Sequence, residues 1–191
     1  MSTYGSPGDG AGLRNDVPLG NLAWIAFLTD DLEGAERLAY ESMAFARKRS
    51  DPEQIIAMNV VVILIRIEQG RMDDAIALQR ETIKLTDQLD STPMFAACCM
   101  PLAVLLARLG QLECAARVLG KRTALAEQLR IQREWVTPHV LSSAEEQAQR
   151  GLGEEAYVNA MTAGANADVR ELLAAALTDA DVAALALDGV S

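Results

Sequence analysis

Gly70-Arg71-Met72-Asp73-Asp74-Ala75 recurs, with changes, forty residues earlier as Asp30-Asp31-Leu32-Glu33-Gly34-Ala35 and forty residues later as Gly110-Gln111-Leu112-Glu113-Cys114-Ala115. A looser copy, Gly151-Leu152-Gly153-Glu154-Glu155-Ala156, lies 41 residues after the third. Each position has a physical reading. Gly at the head tolerates the left-handed backbone that ends a helix, and Asp30 is a less comfortable occupant of that place. Leu or Met two residues on plugs the turn. Acidic residues then fall in the first turn of the next helix, where its dipole favours them. The closing Ala lets two helices approach. Together these describe a helix–turn–helix hairpin, repeated.

A second marker runs in phase with the first. Asp51-Pro52, Thr92-Pro93 and Thr137-Pro138 each set a capping residue before a proline, the pattern of an N-cap followed by Pro at the first helical position. Pro18 opens the first pair in the same way. Helix pairs are thus expected from about residues 18, 52, 93 and 138, with reversals near 30, 70, 110 and 151. The run 53–69 is rich in β-branched residues and resembles a strand locally. The markers nonetheless enclose about 17 residues, and strands seldom exceed about 10; a helix apolar nearly all round is one buried on most sides. Asp168-Val169-Arg170-Glu171 resembles a capping box. It predicts a helix over 169–177, with a short last helix after Thr178.

The repeat fixes the expected fold class: all-α, a right-handed helix-hairpin solenoid of about four pairs with short C-terminal helices. Helix-pair repeats bury their faces against neighbours, so about three are needed for stability. The spacing is closer to HEAT and armadillo units, and the hairpin signature is closer to tetratricopeptide units; the signature decides, because longer helices stretch the unit. The expected division is a flexible, Gly- and Ser-rich lead-in over 1–16, a tetratricopeptide-like repeat domain over 17–177, and a short helix and tail over 178–191.

Composition agrees and excludes. Half of the 191 residues are hydrophobic, so there is material for a core, and only 4% are aromatic. No apolar run is long enough to span a membrane. The net charge of −10 argues against a nucleic-acid-binding face. That charge is uneven: the last 41 residues carry −6, while 101–150 carry +2. The basic stretch Arg117, Lys121, Arg122, Arg130 and Arg133 reads as a solvated helix face, or as a contact for an acidic partner. No basic start followed by an apolar stretch marks a secretory signal. The three cysteines, Cys98, Cys99 and Cys114, are too few and too irregular for a disulfide framework. They read as small buried hydrophobes in a reducing, cytoplasmic compartment.

Four stretches carry a family likeness: Arg117-Val118-Leu119-Gly120; Leu152-Gly153-Glu154-Glu155-Ala156-Tyr157; Ala163-Gly164; and Asp168-Val169-Arg170-Glu171-Leu172-Leu173-Ala174-Ala175-Ala176-Leu177. This region resembles the C-terminal helical-repeat part of actinobacterial LuxR-type and antibiotic-regulator-type transcriptional regulators, in which a STAND-class ATPase module precedes tetratricopeptide-like repeats. Tyr157 stands where that family prefers Phe, and Met161 where it often has Trp. The resemblance implies a sensor or interaction scaffold. No phosphate-binding loop and no basic recognition helix occur in the 191 residues.

Binding positions follow from tetratricopeptide geometry, in which first helices line the concave face. They are Trp24 and Phe27, then Val60 and Leu64, then Met100, Val104 and Arg108. Arg66, set between Ile65 and Ile67, either contacts a ligand inside the solenoid, or else snorkels to solvent or pairs with an acid of a neighbouring repeat. The expected function is non-catalytic: interaction with a protein or peptide partner, or sensing of a small apolar ligand, with no cofactor, metal, nucleic acid or membrane. The alternative is a self-assembling homodimer using the same apolar groove. A thiol enzyme built on Cys98 or Cys99 with His139, the only histidine, is the least favoured reading.

Overall fold

The computed structural model describes residues 16–130 and 136–188. The regular structure in them is helical throughout: α1 (Asp16–Leu28), α2 (Leu32–Lys48), α3 (Pro52–Glu68), α4 (Met72–Leu89), α5 (Thr92–Arg108), α6 (Leu112–Gln128), α7 (Val136–Leu152), α8 (Glu154–Asn166) and α9 (Val169–Asp188). The lead-in expected over 1–16 lies outside the described residues, except for Asp16, where α1 begins. None of the described helices is long and apolar enough to cross a membrane.

The reversals obey one backbone rule. A left-handed residue stands at Asp30, Ser50, Gly70, Asp90, Gly110 and Arg130, every twenty residues. At the second hairpin the Gly70 N–H reaches Ile67 O at 3.0 Å and the Arg71 N–H reaches Arg66 O at 2.9 Å. This is the double closure of a Schellman turn, which satisfies carbonyls the helix end leaves open. The longer bond recurs as Asp31 to Ala26 O, Asp51 to Ala46 O and Gln111 to Leu106 O. Gly70 and Gly110 take the conformation without a Cβ penalty. Ser50 and Arg130 adopt it at a cost of about 1 kcal/mol each.

Helix starts fall within about two residues of the sequence markers: α1 begins at Asp16, ahead of Pro18, and α7 at Val136, so that Thr137 lies inside the helix and does not cap it. The Asp51 carboxylate accepts from the Gln54 N–H at 3.1 Å, and Pro52 follows it. Asp31 caps α2 through the Gly34 N–H at 2.9 Å. For α5 the cap falls on Ser91, one residue before the expected Thr92. The β-branched run is helix α3, and nine of its residues, including Ile63 and Ile65, are buried. Asp168 does cap α9, accepting from the Arg170 and Glu171 N–H groups at 2.9 and 3.1 Å. The last short helix expected after Thr178 is the second half of α9, which runs unbroken to Asp188. Thr178 points its hydroxyl back to Ala174 O at 3.1 Å within that helix.

Packing follows the pairs through α7. The odd helices α1, α3, α5 and α7 each touch the next, while α2, α4 and α6 each pack between two of them. Two cores result. One joins Ala23 and Ala26 to Ala35, Ala39 and Met43 and to Met58, Val61, Val62 and Ile65. The larger one runs from Ile56 through α5 and α6 to α9. Pro101 lies buried inside α5, where its ring leaves Ala97 O without the usual helical donor. The adjacent Cys98 O accepts from Gln79 Nε2 of α4 at 2.9 Å.

The fourth pair departs from the pattern. Its left-handed residue is Gly153, not the expected Gly151, which is helical and lies against Leu112. Helix α8 then crosses α6 at backbone distance. A Cβ on Gly120 would sit 2.0 Å from Met161 O, and one on Gly164 would sit 1.8 Å from Arg117 O. Lys121, buried at this crossing, gives its ammonium to Ala165 O at 2.7 Å, a favourable place for a cation at the end of α8. Helix α9 lies across α4, α5 and α6 and buries Leu172, Leu173, Ala176 and Ala180. In an ordinary helix interior Gly→Ala gains nearly 1 kcal/mol. Here Gly120→Ala and Gly164→Ala are each expected to destabilise by about 2 kcal/mol or more, because backbone must move to admit the methyl. Urea unfolding midpoints check this; a gain in stability at either site would contradict the close crossing.

Candidate functional site

The C-terminal ends of α1, α3 and α5 and the middle of α7 converge on a cavity of about 250 Å³. It draws Phe27 from α1, Leu64 and Glu68 from α3, Val104 and Arg108 from α5, and Ser143, Ala144 and Gln147 from α7. One helix from each of the four pairs therefore contributes. Their convergence rests on the forty-residue register. Glu68 and Arg108 are one repeat apart, and Arg108 Nη2 bonds both Glu68 oxygens at 2.9 and 3.0 Å. Both side chains are close to half exposed, so the pair contributes at most about 1 kcal/mol to stability. It places a cation and an anion at the edge of an apolar wall. Across from it, Gln147 Nε2 donates to Ser143 Oγ at 2.9 Å.

Of the residues expected to bind, Phe27, Leu64, Val104 and Arg108 line this cavity. Val60 and Met100, one turn further back on the same helices, are buried in the core. Trp24 is partly buried and meets the Phe27 ring edge-on, with centroids 6.1 Å apart. The apolar surface expected as a long groove is therefore largely packed, and space remains at one end. Arg66 lies elsewhere: its Nη2 is 2.6 Å from Glu36 Oε1 and donates to the Tyr40 hydroxyl at 3.2 Å. Both partners belong to α2, so Arg66 joins neighbouring pairs as the second of its two readings holds. The α7 residues of the cavity were not among the expected positions. Ala144 and Gln147 stand forty residues after Val104 and Ala107, so the register that places those residues places them as well.

A second cavity, of about 430 Å³, lies between α4, α5 and α9. Phe95 and Leu177 are among its apolar lining, with Arg80, Lys84 and Arg170 at its edge. Arg170 bonds Asp87 at 2.5 Å and also Asp90, and its guanidinium lies 5.0 Å from the Phe95 ring centroid. Arg80 pairs with Asp181 at 2.6 Å. No motif announces these contacts in the sequence. The basic stretch after Arg117 does not form one solvated face, because Lys121 is buried; Arg133 lies outside the described residues.

Cys98, Cys99 and Cys114 are free and buried. Burial pushes Cys98 up to about 11, eased by its contact with Thr86. Burial, reinforced by Cys98, pushes Cys99 up to about 12. Burial, with Asp179 adding to it, also pushes Cys114 up to about 12. All three thiols are protonated near neutral pH, the opposite of an activated nucleophile. The His139 side chain lies outside the described residues. Among the described residues no three His, Cys, Asp or Glu side chains gather as a metal would require.

Comparison of the chain with family models, with curated proteins and with solved structures finds no match.

The thiols give a pH dependence with a definite sign. A thiol whose folded pKa is raised stabilises the fold fully below its unfolded value, ordinarily 9.0, and loses that contribution as pH climbs towards 11 to 12. Stability is therefore expected to fall between pH 9 and 11, and Cys99→Ala is expected to lessen the slope. Urea midpoints measured across that range check it; an unchanged slope in Cys99→Ala would place the effect elsewhere.

Proposed function

We propose that the chain is a non-catalytic, tetratricopeptide-like repeat module with a right-handed stack of helix pairs, acting in the cytoplasm as an interaction or ligand-sensing domain. The observation that carries the reading is the cavity between the C-terminal ends of α1, α3 and α5 and the middle of α7, with four of the expected residues in its wall. Solenoids bind on surfaces to which every repeat contributes. An apolar wall with a few polar groups at its edge is the usual form of a binding site. The occupant we favour is an apolar side chain of a protein or peptide partner, held beside Arg108 and Glu68, or a small apolar ligand of similar size.

Sensing would follow from the same geometry. A ligand touching one helix of each pair favours the arrangement in which the four helices are spaced to hold it, and so shifts the population of curvatures. This fits a module resembling the repeat region of LuxR-type and STAND-class transcriptional regulators. That resemblance supports the reading through Arg117–Gly120 and Ala163-Gly164, whose glycines serve the α6–α8 crossing.

Ser143→Trp tests the proposal, because Ser143 is exposed at the cavity rim and the indole would fill the space without touching the core. Peptides selected from a random displayed library against the full chain are expected to include binders that Ser143→Trp weakens at least tenfold while the melting temperature holds. Titration of each selected peptide against both proteins reads this out. A set of binders indifferent to Ser143→Trp and to Arg108→Ala would sink the assignment.

A further inference from the structure

Two helical stripes build the cavity between α4, α5 and α9. Arg80, Ile83, Lys84 and Asp87 follow the spacing of one side of α4. Arg170, Ala174, Leu177 and Asp181 do the same on α9. Phe95 of α5, buried, supplies the floor. Arg80 pairs with Asp181 at 2.6 Å, and Arg170 pairs with Asp87 at 2.5 Å. The first residue of each stripe thus meets the last of the other, and an ion pair bridges the two helices at either end. Between the bridges the walls are apolar, Ile83 on one side and Ala174 and Leu177 on the other. Ala174 offers only a methyl to span the gap. The resulting volume of about 430 Å³ falls within the usual range of small-molecule sites. No lining residue is shared with the cavity beside Arg108, so the two assignments stand or fall separately.

The charges around the cavity do not cancel. Three cations line it against two carboxylates. Both carboxylates are taken, Asp181 by Arg80 and Asp87 by Arg170. Arg170 also bonds Asp90, which lies outside the lining. Lys84 is the cation left over: among the described residues no hydrogen bond or ion pair reaches its ammonium. It stands one turn from Arg80, midway along the stripe and beside the apolar gap. A cationic guest would be repelled there, and a neutral one would leave the charge unused. We propose that this cavity binds a small amphipathic acid, its apolar body against Ile83, Phe95 and Leu177 and its carboxylate on Lys84. The occupant is a free small molecule, because the ion pairs at both ends obstruct a peptide or acyl chain running through. Such an acid touches α4 and α9 together. It therefore ties the last helix to the array and stabilises the folded chain, as a ligand of the native state does.

Decanoate, titrated below its micelle concentration, is the probe, with decanol as its neutral analogue. Isothermal titration calorimetry on the full chain is expected to show saturable binding of decanoate, tighter than that of decanol. The melting temperature is expected to rise with decanoate concentration. Lys84→Gln removes the charge from an exposed side chain, so the fold should hold. It is expected to weaken decanoate about tenfold, the loss of one hydrogen bond between charged groups, and to leave decanol as it was. Ala174→Phe fills the gap and is expected to remove binding of both, with the melting temperature of the free chain maintained. Decanoate binding indifferent to either substitution, decanol bound as tightly as decanoate by the parent, or no saturable binding of decanoate would overturn the proposal. So would an equal loss of decanol and decanoate in Lys84→Gln, since the charge would then play no part.

Discussion

A chain reversal every twenty residues is the constraint on which this architecture depends. A helix of 17 or 18 residues with a turn of three or two makes the interval, and one left-handed residue closes each turn from Asp30 to Arg130. The constancy of that interval keeps side chains of successive pairs in register. Glu68 meets Arg108 because they are two intervals apart. Residues near the C-terminal ends of α1, α3 and α5 and in the middle of α7 meet around one cavity for the same reason. Where the interval lengthens to reach Gly153, the register is lost, and the packing changes from flank-on-flank to the glycine crossing of α6 and α8.

Part of this was legible because it is written in residues with no alternative role. Gly70 and Gly110 mark left-handed positions, and Asp51-Pro52 marks a helix start, so three hairpins follow from sequence. Ser50, Asp90 and Arg130 take the same conformation without any compositional sign, because the turn forces it on whichever residue falls there. Pro101 gives the reverse lesson. A proline inside a helix ordinarily interrupts it, yet α5 continues through Pro101, and close by the Cys98 carbonyl accepts from Gln79, a residue on another helix. A contact of that kind cannot be read from local pattern.

The site divides in the same way. Leu64, Val104 and Arg108 were found by helical spacing, which correctly puts them on one stripe. Arg66 stands two positions from Leu64, about half a turn around the helix, and so faces α2 instead. The α7 wall of the cavity keeps the same register, with Ala144 forty residues after Val104, although the fourth reversal is displaced by two residues. The uneven charge also takes on a meaning that totals conceal. The acidic C-terminal segment holds one arginine, Arg170, which sits on Asp87 and Asp90, while its Asp181 takes Arg80. The exchange is reciprocal, one cation and one acid from α9 against opposite charges on α4.

That placement of α9 has a consequence for how the chain acquires its structure. A simple stack of hairpins is nearly one-dimensional; each unit leans only on its neighbours, and a shortened array keeps the stability of what is left. Here the last helix covers the middle of the array, with partners 80 to 101 residues earlier in the chain. Contacts of such long sequence separation form late, because a large loop must close before they repay its entropy. Until α9 has been synthesised, the outer side of α5, including Phe95, waits uncovered. The molecule is built from local repeats, yet it completes its core only at the last helix.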